Sequence, residues 1–128
     1  DRTELGEESL RIPQLHSKYY KMYSAERIRM RQMEMEYKSL YKIKYEYYNG
    51  TISEEELREN EWEPFMLKIL KTDISTYMEA DRDMQVIKAK IAIQEEKVEY
   101  LESIVKSLPA RGYQIKAAID WVKFTQGA

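Results

Sequence analysis

Between residues 11 and 48, nine lysines and arginines stand against four glutamates, with tyrosines scattered among them. At 100° per residue, Arg27, Arg31, Lys38 and Lys42 share one side of a helix, and Tyr20 and Tyr45 are interleaved with them. Such a surface suits a polyanion. Lysine and arginine neutralise phosphates and release counterions, and aromatic faces accept unpaired bases. Residues 1–10 and 49–128 are net acidic, so basic charge is concentrated on one stretch of a chain of net charge −2. No base-reading motif accompanies the stretch, so weakly sequence-dependent binding is expected. The same pattern has a plainer reading, in which Tyr19, Tyr37, Tyr41 and Tyr48 pack in a core and the charges form a solvated face. Lys44 stands apart: it projects among apolar residues, where it either snorkels at the helix end or serves a site.

Other chemistry is harder to find. There is no phosphate-binding glycine loop, no nucleophile–histidine pair and no set of residues at metal-ligand spacing. Glu54-Glu55-Glu56 and the pair Asp81/Asp83 read as solvated helix faces, and His16, the single histidine, as a surface or partly packed residue. The absence of cysteine removes disulfides and thiolate metal sites. The expectation is a non-enzyme without cofactor or metal. No apolar run approaches the ~18 residues of a membrane span, so no membrane partner is expected.

The elements that must carry the basic side are helical. The chain has 128 residues, and its 34% charged content suits long helices with solvated faces better than sheet. Pro13 suits a first helical turn, and no proline or glycine follows until Asn49-Gly50, a helix C-terminus signal. Leu15, Tyr19, Met22, Met30, Met33, Tyr37, Leu40 and Tyr48 would form its apolar face. Residues 1–12, acidic and without evident period, read as a flexible arm. Ser53-Glu54-Glu55-Glu56 is a capping box opening a short acidic helix to about Asn60. Residues 61–72, interrupted by Pro64, read as an irregular or extended connection.

From Tyr77 to Leu108 a heptad runs through Tyr77, Met84, Ile91, Val98 and Val105, and through Ala80, Ile87, Gln94, Leu101 and Leu108. A period of 3.5 keeps one seam facing one partner. Thr72 or Asp73 would cap this helix. Pro109 would stop it, and Arg111-Gly112 would turn the chain into a second arm carrying Ile115, Ala118, Ile119 and Val122. The expected fold is mainly all-α: a long basic N-terminal helix, a short acidic helix, a long heptad helix and a C-terminal helical hairpin. Its regions are an arm at 1–12, a nucleic-acid-binding part at 13–72 and an oligomerisation part at 73–128. The remaining chain reads as too short to cover the seam, so Ile87, Ile91, Val98, Leu101, Val105, Leu108, Ile115 and Ile119 are expected to form an oligomer core. An ordinary core helix in a monomeric bundle is the alternative.

Three segments resemble one family. Tyr41-Lys42-Ile43-Lys44-Tyr45-Glu46-Tyr47-Tyr48-Asn49-Gly50 is similar to the basic-x-basic and Tyr-Tyr-small-Gly segment of the UvsY recombination mediators of T-even-type phages. Ala80-Asp81-Arg82-Asp83 and Arg111-Gly112-Tyr113-Gln114-Ile115-Lys116 resemble that family's Ala-Asp-basic-Asp and Arg-Gly-aromatic-x-Ile-Lys motifs, in the same order, over roughly residues 14–127. The resemblance implies a helical, ring-like hexamer or heptamer in the cytoplasm of an infected bacterial host. It implies single-stranded DNA as ligand, a recombinase and a single-strand-binding protein as partners, and a role in loading the recombinase. The family's DNA-binding basic pair falls on Lys42 and Lys44, with Arg27, Arg31, Lys38 and Tyr45 as further candidates. Residues 51–75 depart from the family. A structural coiled-coil adaptor that binds an acidic protein is the competing reading.

Overall fold

The computed structural model describes the backbone of residues 2–127 and their side chains, except those of Arg2 and Ser9. In order come α1 (Arg2–Asn49), α2 (Glu54–Glu59), a 3-10 turn (Lys71–Asp73), α3 (Ile74–Ala80) and α4 (Arg82–Thr125). No strand occurs among the described residues, so the fold is all-α as expected. The chain forms two compact units, residues 1–29 with 94–128, and residues 30–93. Neither boundary coincides with the expected divisions after residues 12 and 72, because α1 and α4 each contribute to both units.

The first unit is an antiparallel helix pair, in which Glu8 of α1 meets Arg111 of α4 and Glu26 meets Lys97. Its core is Ile12, Leu108 and Ile115, flanked by Leu5, Tyr19, Ile104 and Ile119. Leu5, Ile12 and Tyr19 are seven apart, so the helical period continues into the acidic stretch. Residues 2–12 are therefore helix, not a loose arm, and Asp1 lies outside the described residues. Pro13 sits inside α1 and Pro109 inside α4. An interior proline loses a hydrogen bond and costs about 3 kcal/mol. Burial of one large apolar side chain contributes about 1.5–3 kcal/mol, and Leu108 and Ile115 bracket Pro109 in the same cluster. Packing outweighs the local penalty, so α4 does not stop at Leu108.

Two expectations change accordingly. The helical hairpin involving the C-terminal stretch has the N-terminal part of α1 as its other arm, not a separate helix after Arg111. Gly112 is no turn glycine: it lies inside α4, and a Cβ there would meet Ile12 Cγ2 at 3.4 Å, an ordinary van der Waals contact. The seam is also covered from within the chain. Val98, Leu101, Leu108 and Ile115 are buried and Val105 and Ile119 half-buried in a single chain, because α1 begins at Arg2 instead of near Pro13.

The second unit has its core in Ile74, Met78 and Met84, packed against Tyr37, Leu40, Tyr48 and Ile69. Ile87 and Ile91 are half-buried there. As Asn49-Gly50 signals, α1 ends in a left-handed residue: Gly50 has φ 83°, and the Thr51 N–H donates to the Glu46 carbonyl at 3.0 Å. Ser53 caps α2, its hydroxyl accepting from the Glu56 N–H at 3.1 Å. Residues 62–70 have no regular structure, and the connection expected over 61–72 closes in the 3-10 turn at Lys71–Asp73. The heptad helix does not run unbroken from Tyr77. Asp81 is extended (φ −69°, ψ 129°) and separates α3 from α4. Asp81 also caps α4, its Oδ1 accepting from the Met84 N–H at 2.9 Å, whereas Asp73 makes no side-chain cap bond.

Helix and turn at Gly112 make opposite predictions for Gly112→Ala. In a helix interior alanine gains up to about 1 kcal/mol over glycine, while a left-handed turn residue would lose by a similar amount. Urea unfolding should show the variant equal to or more stable than the parent; a clear loss would reinstate the turn.

Candidate nucleic-acid interface

The basic candidates on α1 divide by the geometry of the helix. Arg31, Lys38, Lys42 and Tyr45 fall within about 60° of one another at 100° per residue. All four are exposed in the second unit. Lys42 keeps 77% of its side chain exposed and reaches Glu46 at 3.6 Å, a surface i,i+4 pair of small energetic weight. Tyr45 is 36% exposed and Tyr41 beside it 45%, leaving ring surface open. The opposite side of this part of α1 carries Tyr37, Leu40 and Tyr48 into the core. Arg27 belongs to the other unit, where its guanidinium lies 5.3 Å from the Tyr23 ring centroid. Tyr20 is exposed there beside His16, which is half-buried.

Lys44 does not join this surface. Residues two apart on a helix point about 200° apart, so a basic-x-basic pair cannot share a face. Lys44 is only 5% exposed, and its Nζ lies 3.0 Å from Asp81 Oδ2 and 2.9 Å from Asp83 Oδ2. The Trp62 ring centroid stands 3.9 Å from the ammonium and the Tyr47 ring 5.6 Å, so cation–π attraction replaces part of the lost hydration. A phosphate has no approach to a lysine enclosed in this way. The structure thus places Lys44, expected beside Lys42 as a DNA contact, apart from the exposed basic side, with its charge paired inside the protein.

Each partner is held by its own local cause. Asp81 is placed by the break between α3 and α4, and it accepts from the Tyr48 hydroxyl at 2.6 Å as well as from the Met84 N–H. Burial alone would raise its pKa, but the bonds from Tyr48, Met84 and Lys44 together hold the carboxyl below its usual value. The Tyr48 hydroxyl is pushed well above its ordinary value, first by burial and then by Asp81. Trp62 is placed by Glu61, a non-glycine residue at φ 57°, which turns the chain so that the Trp62 N–H donates to the Leu57 carbonyl at 3.0 Å. Left-handed conformation in such a residue costs about 1–3 kcal/mol and persists only where surrounding structure enforces it. Here the enforcing contacts are those of Trp62 with Lys44 and Tyr47.

Sequence reasoning missed Trp62 and took Asp81 and Asp83 for a solvated face. A signal was available: Tyr-Tyr-Asn-Gly and Ala-Asp-Arg-Asp are two of the three motifs noted above, and Tyr48 and Asp81 come from them. Among the described residues no group of histidine, cysteine, aspartate and glutamate could hold a metal ion. No helix among the described residues is long and apolar enough to cross a membrane.

Breaking a buried pair by removing one partner costs about 3–5 kcal/mol. Lys44→Met should therefore lower unfolding stability by about that amount, whereas Lys42→Ala should change it by no more than about 0.5 kcal/mol. The lowered pKa of Asp81 means that its contribution is fully present above the unfolded value of about 3.9 and is lost as pH falls through the folded value. Acid titration of the parent should show this loss below about pH 4, and Asp81→Asn should flatten it.

No curated protein and no solved structure matches this chain. A family model does, described as recombination, repair and ssDNA binding protein UvsY, over residues 1–128. The match spans the whole chain, including the stretch 51–75 that reads as a departure from the family's motifs. An all-helical chain with an exposed basic, tyrosine-bearing helix face belongs to the UvsY family of recombination, repair and single-stranded-DNA-binding proteins.

Proposed function

We propose that this protein is a phage recombination mediator that binds single-stranded DNA along the exposed side of α1 and loads a recombinase onto DNA covered by single-strand-binding protein. Arg31, Lys38 and Lys42 take phosphates, and Tyr45 offers a stacking face. The single observation that carries this placement is the separation of Lys42 from Lys44: Lys42 is exposed on the outer side of α1, whereas Lys44 is buried between two carboxylates. Arg27 pairs with an aromatic ring in the other unit and is a secondary candidate. The work done is binding and remodelling, without turnover, in the cytoplasm of the infected bacterial host.

Assembly into a hexamer or heptamer then uses a surface other than the heptad seam. The seam residues Val98, Leu101, Leu108 and Ile115 are already buried within one chain. Tyr100, Tyr113, Trp121 and Phe124 of α4 are 65–76% exposed, and large aromatic side chains left open suit contact between copies.

Two experiments test these statements. Lys38→Ala with Lys42→Ala should reduce the slope of log affinity against log salt by about 0.7 per lost contact on a single-stranded oligonucleotide. An unchanged slope, with circular dichroism intact, removes this side of α1 from the site. A parent protein that binds an acidic protein but no oligonucleotide would favour the adaptor reading. For assembly, Leu101→Asp should lose helicity, because it puts a charge in the intrachain core. Tyr100→Asp with Trp121→Asp should keep helicity and lower the mass seen by light scattering. If the mass is unchanged, the aromatic residues are not the subunit contact.

A further inference from the structure

The first unit carries an aromatic row on α1 outside its core. His16, Tyr20, Tyr23 and Arg27 fall within about 60° of one another at 100° per residue. His16 stacks on Tyr20 with ring centroids 6.2 Å apart and planes inclined by 22°, and Tyr20 meets Tyr23 edge-on at 6.3 Å. The Arg27 guanidinium ends the row, 5.3 Å from the Tyr23 ring centroid. From α1 the core takes Ile12 and Tyr19 instead. His16 and Tyr23 are half-buried, whereas Tyr20 is 51% exposed, so the middle ring is braced by its neighbours yet open to solvent. Bracing restricts the side chain before any ligand arrives and lowers the ordering cost of binding. An open, ordered aromatic face is a platform on which an unpaired base stacks.

Charge selects the occupant. Residues 13–29 carry Lys18, Lys21, Arg27 and Arg29 against one carboxylate, Glu26, which Gln94 and Lys97 already hold. Residues 94–128 carry five acidic and five basic residues, so the positive charge of the unit is concentrated on the stretch of α1 that bears the row. Glu102 of α4, close enough to feel Arg27, is bound by Lys106 at 2.8 Å. An aromatic face on a positive stretch suits a strand with unpaired bases, and a duplex keeps its bases stacked on one another. We propose that Tyr20, braced by His16 and Tyr23, stacks an unpaired base of single-stranded DNA and gives the first unit a strand contact of its own. The proposal rests on the single-strand-binding reading above. It adds a contact that works by stacking, where Arg31, Lys38 and Lys42 work by charge.

The test compares the parent with Tyr20→Leu and Tyr20→Phe, on a labelled single-stranded oligonucleotide and on its duplex, across a salt series. Leucine keeps apolar bulk without a ring, and phenylalanine keeps the ring. Tyr20→Leu should bind the single strand at least about fivefold more weakly. Its slope of log affinity against log salt should not change, because no phosphate contact is lost. Duplex affinity, circular dichroism and light-scattering mass should stay at the parent's values, and Tyr20→Phe should match the parent throughout. Equal single-strand binding by Tyr20→Leu overturns the stacking contact and leaves the Lys38 and Lys42 surface standing, since that surface is read from the salt slope. An equal loss in Tyr20→Phe, or an equal loss on the duplex, overturns it as well. A fall in helicity makes Tyr20 a packing residue, and a fall in mass makes it a contact between copies; either result overturns the proposal. A parent that binds no single-stranded oligonucleotide overturns the single-strand reading, and the proposal with it.

Discussion

The second unit depends on one buried cation. Lys44 places an ammonium where only two carboxylates and two aromatic rings can receive it. An isolated charge in that position would cost several kcal/mol, so the arrangement is possible only when every partner is present together. α1 must bring Lys44, the break before α4 must bring Asp81, and the strained turn at Glu61 must bring Trp62. The ion cluster thus ties three segments distant in sequence to one geometry. A buried ion pair is weak evidence for net stability. Its effect here is selective, because sliding α1 by a helical turn would leave a lysine and an aspartate buried without partners.

The first unit uses a milder device of the same kind. Gln94 is the polar member of the heptad seam, and it is buried. Its Nε2 donates to the Glu26 carbonyl at 2.9 Å and to the Glu26 carboxylate at 2.7 Å, and Lys97 reaches the same carboxylate at 3.0 Å. The hydrogen bonds from Gln94 and Lys97 hold the Glu26 carboxyl below its ordinary value. A polar seam residue matched by a polar residue opposite specifies register, where an apolar one would tolerate slippage. In both units the interior therefore carries a hydrophobic majority for stability and one polar match for alignment.

This division of labour shapes the functional surface. The inner stripe of α1 takes Lys44, and the outer stripe keeps Arg31, Lys38 and Lys42 exposed, Lys42 in a surface pair with Glu46; single-stranded DNA binding needs such an open surface. The Lys-x-Lys pair itself divides here: Lys42 is exposed on the outer stripe, and Lys44 is held in the interior beside Tyr47. A loss of DNA binding on replacing both lysines would mix a lost phosphate contact with a loosened helix end.

Much of the protein was legible in its residues. Heptad spacing gave α4 its inner face, Asn49-Gly50 and Ser53 marked helix ends through local hydrogen bonding, and Pro64 announced the irregular connection. These are properties of a few neighbouring residues, and neighbours are what a sequence displays. What the seam faces was not legible, because periodicity states that a stripe is buried and not by what. Only tertiary packing decided that α1 covers it, that Pro13 and Pro109 stay within helices, and that Gly112 lies inside α4 instead of in a turn. The fate of Lys44 was half legible: a two-residue spacing already sends it away from Lys42. That its destination is an ion cluster required Asp81 and Trp62, brought from far along the chain, since no local rule assigns a partner to a buried charge.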